Sequence, residues 1–178
     1  MSTHLKTLIS KLNPTTRRAA ERAANLCMSR GHYEVDLEHL FLALLEEPRS
    51  DFALLCRRFE VSPTQLQRDL ERELGQFRSG NTRTPVFSAH LPVLFEHGWL
   101  IASLDSHTAR VRSGHLLLAL LTEPGLSQLA LRGSGLFSKF LPEDLKHRLV
   151  ELTHGSEEAV EAGATPSAPP AASPPRPS

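Results

Sequence analysis

Nine histidines, two cysteines and twenty carboxylates are the side chains of this 178-residue chain that could carry proton transfer, metal binding or covalent chemistry. Two of the histidines stand out because each opens a copy of the same segment. Residues 38–48 read Glu-His-Leu-Phe-Leu-Ala-Leu-Leu-Glu-Glu-Pro and residues 114–124 read Gly-His-Leu-Leu-Leu-Ala-Leu-Leu-Thr-Glu-Pro, which sets His39 and His115 76 residues apart. A pair of imidazoles can share acid–base work or hold a metal. Neither of these lies at a ligand-type spacing, and Glu38 has no matching carboxylate at Gly114. The expected role is structural: from the first turn of a helix, a ring nitrogen can bond to the loop just before it. His90, His97 and His107 are irregularly spaced and are expected at the surface. Cys27 and Cys56 form neither a metal motif nor a disulfide framework, and among apolar neighbours they read as buried free thiols. No catalytic residue and no metal ligand follows from these spacings.

The elements that position these residues are helical. Leu5, Leu8, Ile9 and Leu12 fall at i, i+3, i+4 and i+7, and Asn13-Pro14 then closes this first short amphipathic helix. A second helix over about 14–30 carries Ala19, Ala20, Ala23, Ala24 and Leu26 along a small-sided face, with Gly31 suited to its C-terminal cap. Asp36 is an N-cap candidate for the first repeated helix and Ser113 for the second. Ser50 or Asp51 can cap a short helix, and Ser62-Pro63-Thr64-Gln65 has the form of a capping box. Residues 75–87 are polar and glycine-bearing and read as a hinge. Ser88 can cap the helix of Leu91, Leu94 and Phe95, a short helix follows near 126–132, and Pro142 opens a last one with Leu145, Leu149 and Leu152. No stretch alternates with period two, so no sheet of consequence is expected.

The expected fold class is therefore all-α: a pseudo-two-fold domain of two four-helix repeats with an additional N-terminal helix. Its parts are the extra helix at 1–13, repeat one at 14–75, the hinge at 76–87 and repeat two at 88–154. From Gly155 the composition turns to proline, alanine and serine, so 155–178 reads as a disordered, semi-rigid linker leading towards an absent downstream region.

Twenty basic residues balance twenty acidic ones, which leaves no field to gather nucleic acid or an anionic membrane. There is no signal-peptide core, and no apolar run reaches the roughly 20 residues that span a bilayer. A soluble, cytoplasmic protein is expected.

The paired Glu38-His39-Leu40…Leu44-Leu45 and His115-Leu116…Leu120-Leu121 helices resemble the N-terminal domain of the Clp/Hsp100 AAA+ unfoldases over about residues 14–153. The extra front helix, the stretch Leu12-Asn13-Pro14-Thr15-Thr16-Arg17-Arg18-Ala19 and the His32-Tyr33-Glu34-Val35 turn look like the ClpV branch of type VI secretion, whose unfoldases disassemble contracted sheaths. That resemblance implies a substrate-recognition domain that binds an amphipathic helix near the N-terminus of the large sheath protein (VipB/TssC type), within a hexameric full-length ATPase. The fragment itself is expected to be monomeric. The phosphate loop Gly-x-x-x-x-Gly-Lys-Ser/Thr is missing, and none of Lys6, Lys11, Lys139 and Lys146 follows a glycine. ATP and magnesium are thus expected only in an absent AAA+ region, and this chain has no cofactor and is no enzyme by itself. A general Clp N-domain receiving adaptors or degradation substrates is the alternative.

The front of the domain is the candidate binding surface. If Leu5, Leu8, Ile9 and Leu12 dock fully on the alanine face, the result is only a capped domain. If they dock along one edge, a groove for another helix remains. Leu8, Leu12, Ala19, Ala23, Leu26, Phe87 and Leu91 are the expected partner-binding residues, the alanines as floor and Phe87 and Leu91 as walls; Phe87 could equally be a staple on the helix that follows.

Overall fold

The computed structural model describes residues 3–164. The order is α1 (Thr3–Ser10), α2 (Pro14–Ser29), β1 (Glu34–Val35), α3 (Leu37–Leu45), α4 (Asp51–Arg58), α5 (Pro63–Leu74), β2 (Val86–Phe87), α6 (His90–Leu100), α7 (Ser113–Thr122), α8 (Pro124–Gly133), α9 (Pro142–Leu152) and α10 (Glu157–Ala164). The fold is all-α, with α2–α5 and α6–α9 as the two four-helix repeats. Among the described residues no helix is long and apolar enough to cross a membrane.

Local signals explain most helix starts. Asn13 caps α2, its Oδ1 accepting from Thr16 N at 2.9 Å, with Pro14 in the first turn. Ser50 Oγ caps α4 and Ser62 Oγ caps α5, at 3.1 and 3.2 Å. Gly31, at φ +68°, takes the left-handed position just past α2, where a side chain would be strained. Three starts differ from expectation. Arg112, not Ser113, is the N-cap residue of α7. The helix expected near 126–132 starts earlier: Pro124 opens α8, with Glu123 as the cap accepting from Leu126 N. The third is α6, which starts at His90, its N–H donating to Ser88 Oγ at 3.2 Å, and runs on into a π-helical turn over Ile101–Asp105.

The repeated segments are the middle of the molecule. In α7 every residue from Ser113 to Leu120 is buried, as are Leu37 and His39–Leu44 of α3. A helix apolar on all sides belongs inside a bundle. Phe41 of repeat one meets Phe137 of repeat two edge-on, and Phe52 meets Phe140 tilted, with ring centroids 6.0 and 6.2 Å apart, so one aromatic cluster joins the halves.

A second join is two-fold as well. β1, after α2, pairs in parallel with β2, before α6, with Glu34 opposite Val86 and Val35 opposite Phe87. Leu12, before α2, bridges in parallel to Val111, before α7. Ser88 N donates to Val35 O at 2.9 Å, and Asn13 N donates to Val111 O at 3.0 Å. Each repeat thus begins by leaning on the end of the first long helix of the other.

Residues 76–87 do not behave as a free hinge. Phe77 packs on His32 and His39, Asn81 N donates to Gly31 O at 2.8 Å, and Asn81 Nδ2 donates to His32 O at 3.0 Å. The stretch is strapped to the turn between α2 and α3. The linker expectation is corrected at its start: Glu157–Ala164 is helical, capped by Ser156 Oγ accepting from Ala159 N at 2.9 Å. The remainder of that expectation, 165–178, lies outside the described residues.

Candidate functional site

The histidine chemistry resolves first. His39 Nδ1 accepts from Asp36 N at 2.9 Å, and His115 Nδ1 accepts from Arg112 N at 3.0 Å. Each ring closes the turn that precedes its helix, as the repeat predicts. Burial pushes both imidazoles down to about 4, helped by His32 beside one and Arg112 beside the other. Both are neutral at pH 7 and far from a proton-transfer range. His90 is not simply at the surface: its Nδ1 lies 3.0 Å from Asp36 Oδ1.

Cys27, His32 and His39 are buried with potential ligand atoms all within 4.8 Å of one another. The hydrogen bonding opposes a metal there. Asp36 N–H points at His39 Nδ1, so the ring's one proton is assigned to Nε2, which donates to His32 Nδ1 at 2.9 Å. A metal on Nε2 would displace a proton that Nδ1 cannot receive. Burial also pushes the Cys27 thiol up to about 11, away from the thiolate a metal needs.

The expected groove comes out differently from its outline. Leu8, Leu12, Ala19, Ala23 and Leu91 are buried. The α2 alanine face is occupied by α3, and α1 seats against α6. Ala19 and Ala23 are therefore not a groove floor, nor are Leu8, Leu12 and Leu91 open walls. Small side chains permit close helix approach, and here the domain's own core uses that approach. Leu26 and Phe87 are the two expected residues that keep partial exposure, together with Ile9 of α1 and Ala24 of α2. Phe87 is held by the ribbon, and beside it Val86 is 63% exposed and its N–H donates to Tyr33 O. Partly exposed apolar side chains thus remain on α1, α2 and β2.

A cleft of about 720 Å³ lies at the other edge of the front, between the Leu12-Asn13-Pro14 junction, the loop from His107 to Arg112, and α10. Arg17 Nη2 donates to Ile9 O and Ser10 O at 3.5 and 3.4 Å, and Arg110 also donates to Ser10 O, so two guanidinium groups cap the C-terminal carbonyls of α1.

Beneath this cleft is a buried polar seat that sequence reasoning missed. Arg112 donates to Asp51 through Nε and Nη2 at 2.9 and 2.8 Å, and to Thr153 Oγ1 at 3.0 Å. Ser156 Oγ donates to Asp51 Oδ1 at 2.7 Å. Glu158, fully buried, accepts from Asn13 Nδ2 at 2.9 Å, Asp51 N at 2.6 Å, Ser113 N at 2.7 Å and the Ser113 hydroxyl. Burial first, then the Asp51 charge, pushes the Glu158 carboxyl up to about 7. A signal for α10 was present: Ser156 followed by two glutamates is a capped, acid-led helix start. Nothing in that run says where Glu158 would point.

The model of the Clp repeat N-terminal domain matches residues 11–124. The AAA+ ATPase ClpV1 of Pseudomonas aeruginosa is 32% identical over 151 residues, which is 85% of this chain and 17% of the relative. The chaperone protein ClpB of Yersinia enterocolitica is 33% identical over 157 residues, 88% of this chain and 18% of the relative. The chain thus spans less than a fifth of the curated relatives it matches. Among solved structures, the N-domain of ClpV from Vibrio cholerae superposes with a TM-score of 0.79 at 32% identity, covering 89% of this chain and 94% of that one. A complex of a ClpV N-domain with a VipB peptide gives 0.77 at 31% identity, covering 89% and 96%. The Hsp104 N-terminal domain from Candida albicans gives 0.64 at 16% identity, covering 82% and 93%, a likeness of fold alone.

Proposed function

The chain belongs to the Clp repeat N-terminal domain family, and from that membership we propose that it is the substrate-recognition domain of a type VI secretion AAA+ unfoldase. In this reading it binds an N-terminal amphipathic helix of the large contractile-sheath protein and supports sheath disassembly and recycling. The observation that carries the reading is the likeness, at 31% identity over nearly the whole of both chains, to a ClpV N-domain in complex with a VipB peptide. Domains of this family bind substrate and do no catalysis; ATP, magnesium and the motor belong to the AAA+ region of a longer, cytoplasmic, hexameric protein. A single small interface of this kind is of roughly micromolar strength, and six copies on a ring add avidity for a repetitive sheath.

The contact surface we assign is the rim of Leu26 and Phe87, extended by Ile9 and Val86. It is reached from the side of α1, the helix that sets this chain apart from a bare double repeat. A partner helix would lay its i, i+3, i+4 and i+7 side chains against it. The test is titration of a labelled peptide carrying the N-terminal helix of the large sheath protein. Phe87→Ala and Leu26→Ala, with helicity unchanged, should each weaken binding by roughly ten-fold, about 1.4 kcal/mol; unchanged affinity in both would sink the assignment.

The alternative, a general Clp N-domain receiving adaptors or degradation substrates, has its own support in the 33% identity to ClpB. The structural likeness favours the first reading, with TM-scores of 0.79 for a ClpV N-domain and 0.64 for that of Hsp104. Binding of a generic unfolded substrate in preference to the sheath peptide would reverse the order.

A further inference from the structure

The two repeats cap their central helices by different means. In repeat one the cap is local: Asp36 Oδ1 accepts from Leu37 N at 2.8 Å and from Ser88 Oγ at 2.9 Å. The repeat puts Arg112 where Asp36 stands, and a guanidinium has no acceptor to offer. Ser113 N is the counterpart of Leu37 N. Asn13 is the counterpart of Ser88, since its N–H meets Val111 O as that of Ser88 meets Val35 O. Both find a carboxylate oxygen all the same: Glu158 Oε1 accepts from Ser113 N at 2.7 Å and from Asn13 Nδ2 at 2.9 Å. Among the described residues α10 has no symmetry counterpart in repeat one, yet its carboxylate stands where symmetry would place that of Asp36.

We propose that Glu158 is a positioning residue for partner recognition: it caps repeat two from a distant helix and, through Asn13, fixes the junction of α1 and α2 on which the front face is built. The recognition half of this rests on the function proposed above.

Three properties of the seat support it. First, Glu158 Oε2 also accepts from Asp51 N, so one carboxylate closes the N-termini of α4 and α7 together, where helix dipoles favour negative charge. Second, the charge of Asp51 is matched by the bidentate Arg112, which leaves Glu158 as the acceptor both helix ends share. Third, the Asn13 amide is divided, with Oδ1 capping α2 through Thr16 N and Nδ2 donating to Glu158. Without Glu158 the amide loses the bond that sets its plane, and buried N–H groups at Asp51 and Ser113 lose their acceptors, the costly case for hydrogen bonding.

Hydrogen exchange and peptide titration on the 178-residue chain test the proposal with Glu158→Gln, Glu158→Ala and a control, Leu126→Ala, that opens a cavity in α8, a helix that contributes none of the bonds to Glu158 described above. The exchange readout is protection at Asn13, Val111 and Ser113 relative to the core of α3, so that a general loss of stability cancels. Both Glu158 variants should lower that ratio roughly ten-fold and weaken sheath-peptide binding by a similar factor. Leu126→Ala should lower stability while leaving ratio and affinity within about two-fold. An unchanged ratio in both Glu158 variants overturns the cap. A fallen ratio with unchanged affinity overturns the positioning role. A wild-type chain that ignores the peptide overturns the proposed function and the recognition half with it, and the exchange ratio still decides the cap.

Discussion

The guanidinium of Arg112 and the carboxylate of Asp51 meet in a bidentate pair, 2.9 and 2.8 Å, that ties the start of α7 in one repeat to the start of α4 in the other. The pair is almost entirely shielded from water, with side-chain exposures of 10% and 0%. Its members lie 61 residues apart and belong to different repeats, so the two halves are locked through charge as well as through the phenylalanine cluster.

Breaking this pair from one side should be expensive. Arg112→Met leaves Asp51 buried and unmatched, at a cost of about 3–5 kcal/mol in urea unfolding. The double variant Asp51→Leu, Arg112→Met should recover only part of that. Gly114 N, Ser156 Oγ and Thr153 Oγ1 all bond to the pair and would lose a partner. Full recovery would mean that the surrounding bonds contribute little.

Acid should act on the buried histidines, and the sign follows from their lowered values. The unfolded chain takes protons on His39 and His115 below about 6.5, which the fold resists down to about 4. Their contribution is complete above pH 6.5 and is lost as pH falls towards 4, about 3 kcal/mol apiece. Glu38 opposes this, because burial pushes its carboxyl up to about 7 and the folded state then gains a proton between pH 7 and 4.5. Glu38→Gln should therefore steepen the acid loss by about 1.4 kcal/mol per pH unit across that window. Equal slopes for variant and wild type, in urea unfolding at several pH values, would contradict the placement of Glu38.

Gly114 departs from its counterpart Glu38 for a steric reason. A Cβ there would stand 2.9 Å from Leu149 Cδ1 and 3.1 Å from Asp51 Oδ2. Gly114→Ala should cost about 1–3 kcal/mol, whereas Gly135→Ala, with nothing within 4 Å, should stay within about 1 kcal/mol of wild type. Thermal unfolding of the two variants side by side makes the comparison.

Ala23 and Phe87 should separate stability from binding. Ala23 is 1% exposed beneath α3, so Ala23→Glu buries an unmatched carboxylate and should cost more than about 4 kcal/mol. Such a variant would lose partner binding merely by unfolding. Deleting residues 1–12 has the same defect, because Leu5, Leu8 and Leu12 are core side chains. Phe87→Ala removes a half-buried ring and should leave the circular dichroism spectrum intact. Loss of helicity in Phe87→Ala would show that the ring is structural.

The sequence alone determined the repeat, the all-α class, eight repeated helices with an additional one in front, and the two histidines as local braces. These are matters of periodicity, capping and composition within a dozen residues, and such forces act wherever the chain folds. Only the tertiary structure decided which faces would remain open. The alanine stripe of α2 reads equally as a groove floor and as a close helix contact, and α3 took it. Only the folded chain could bring Glu158, from a stretch that reads as linker, to Asn13, Asp51 and Ser113. A buried carboxylate is stable only where donors converge on it, and donors 45, 107 and 145 residues away leave no trace in local pattern.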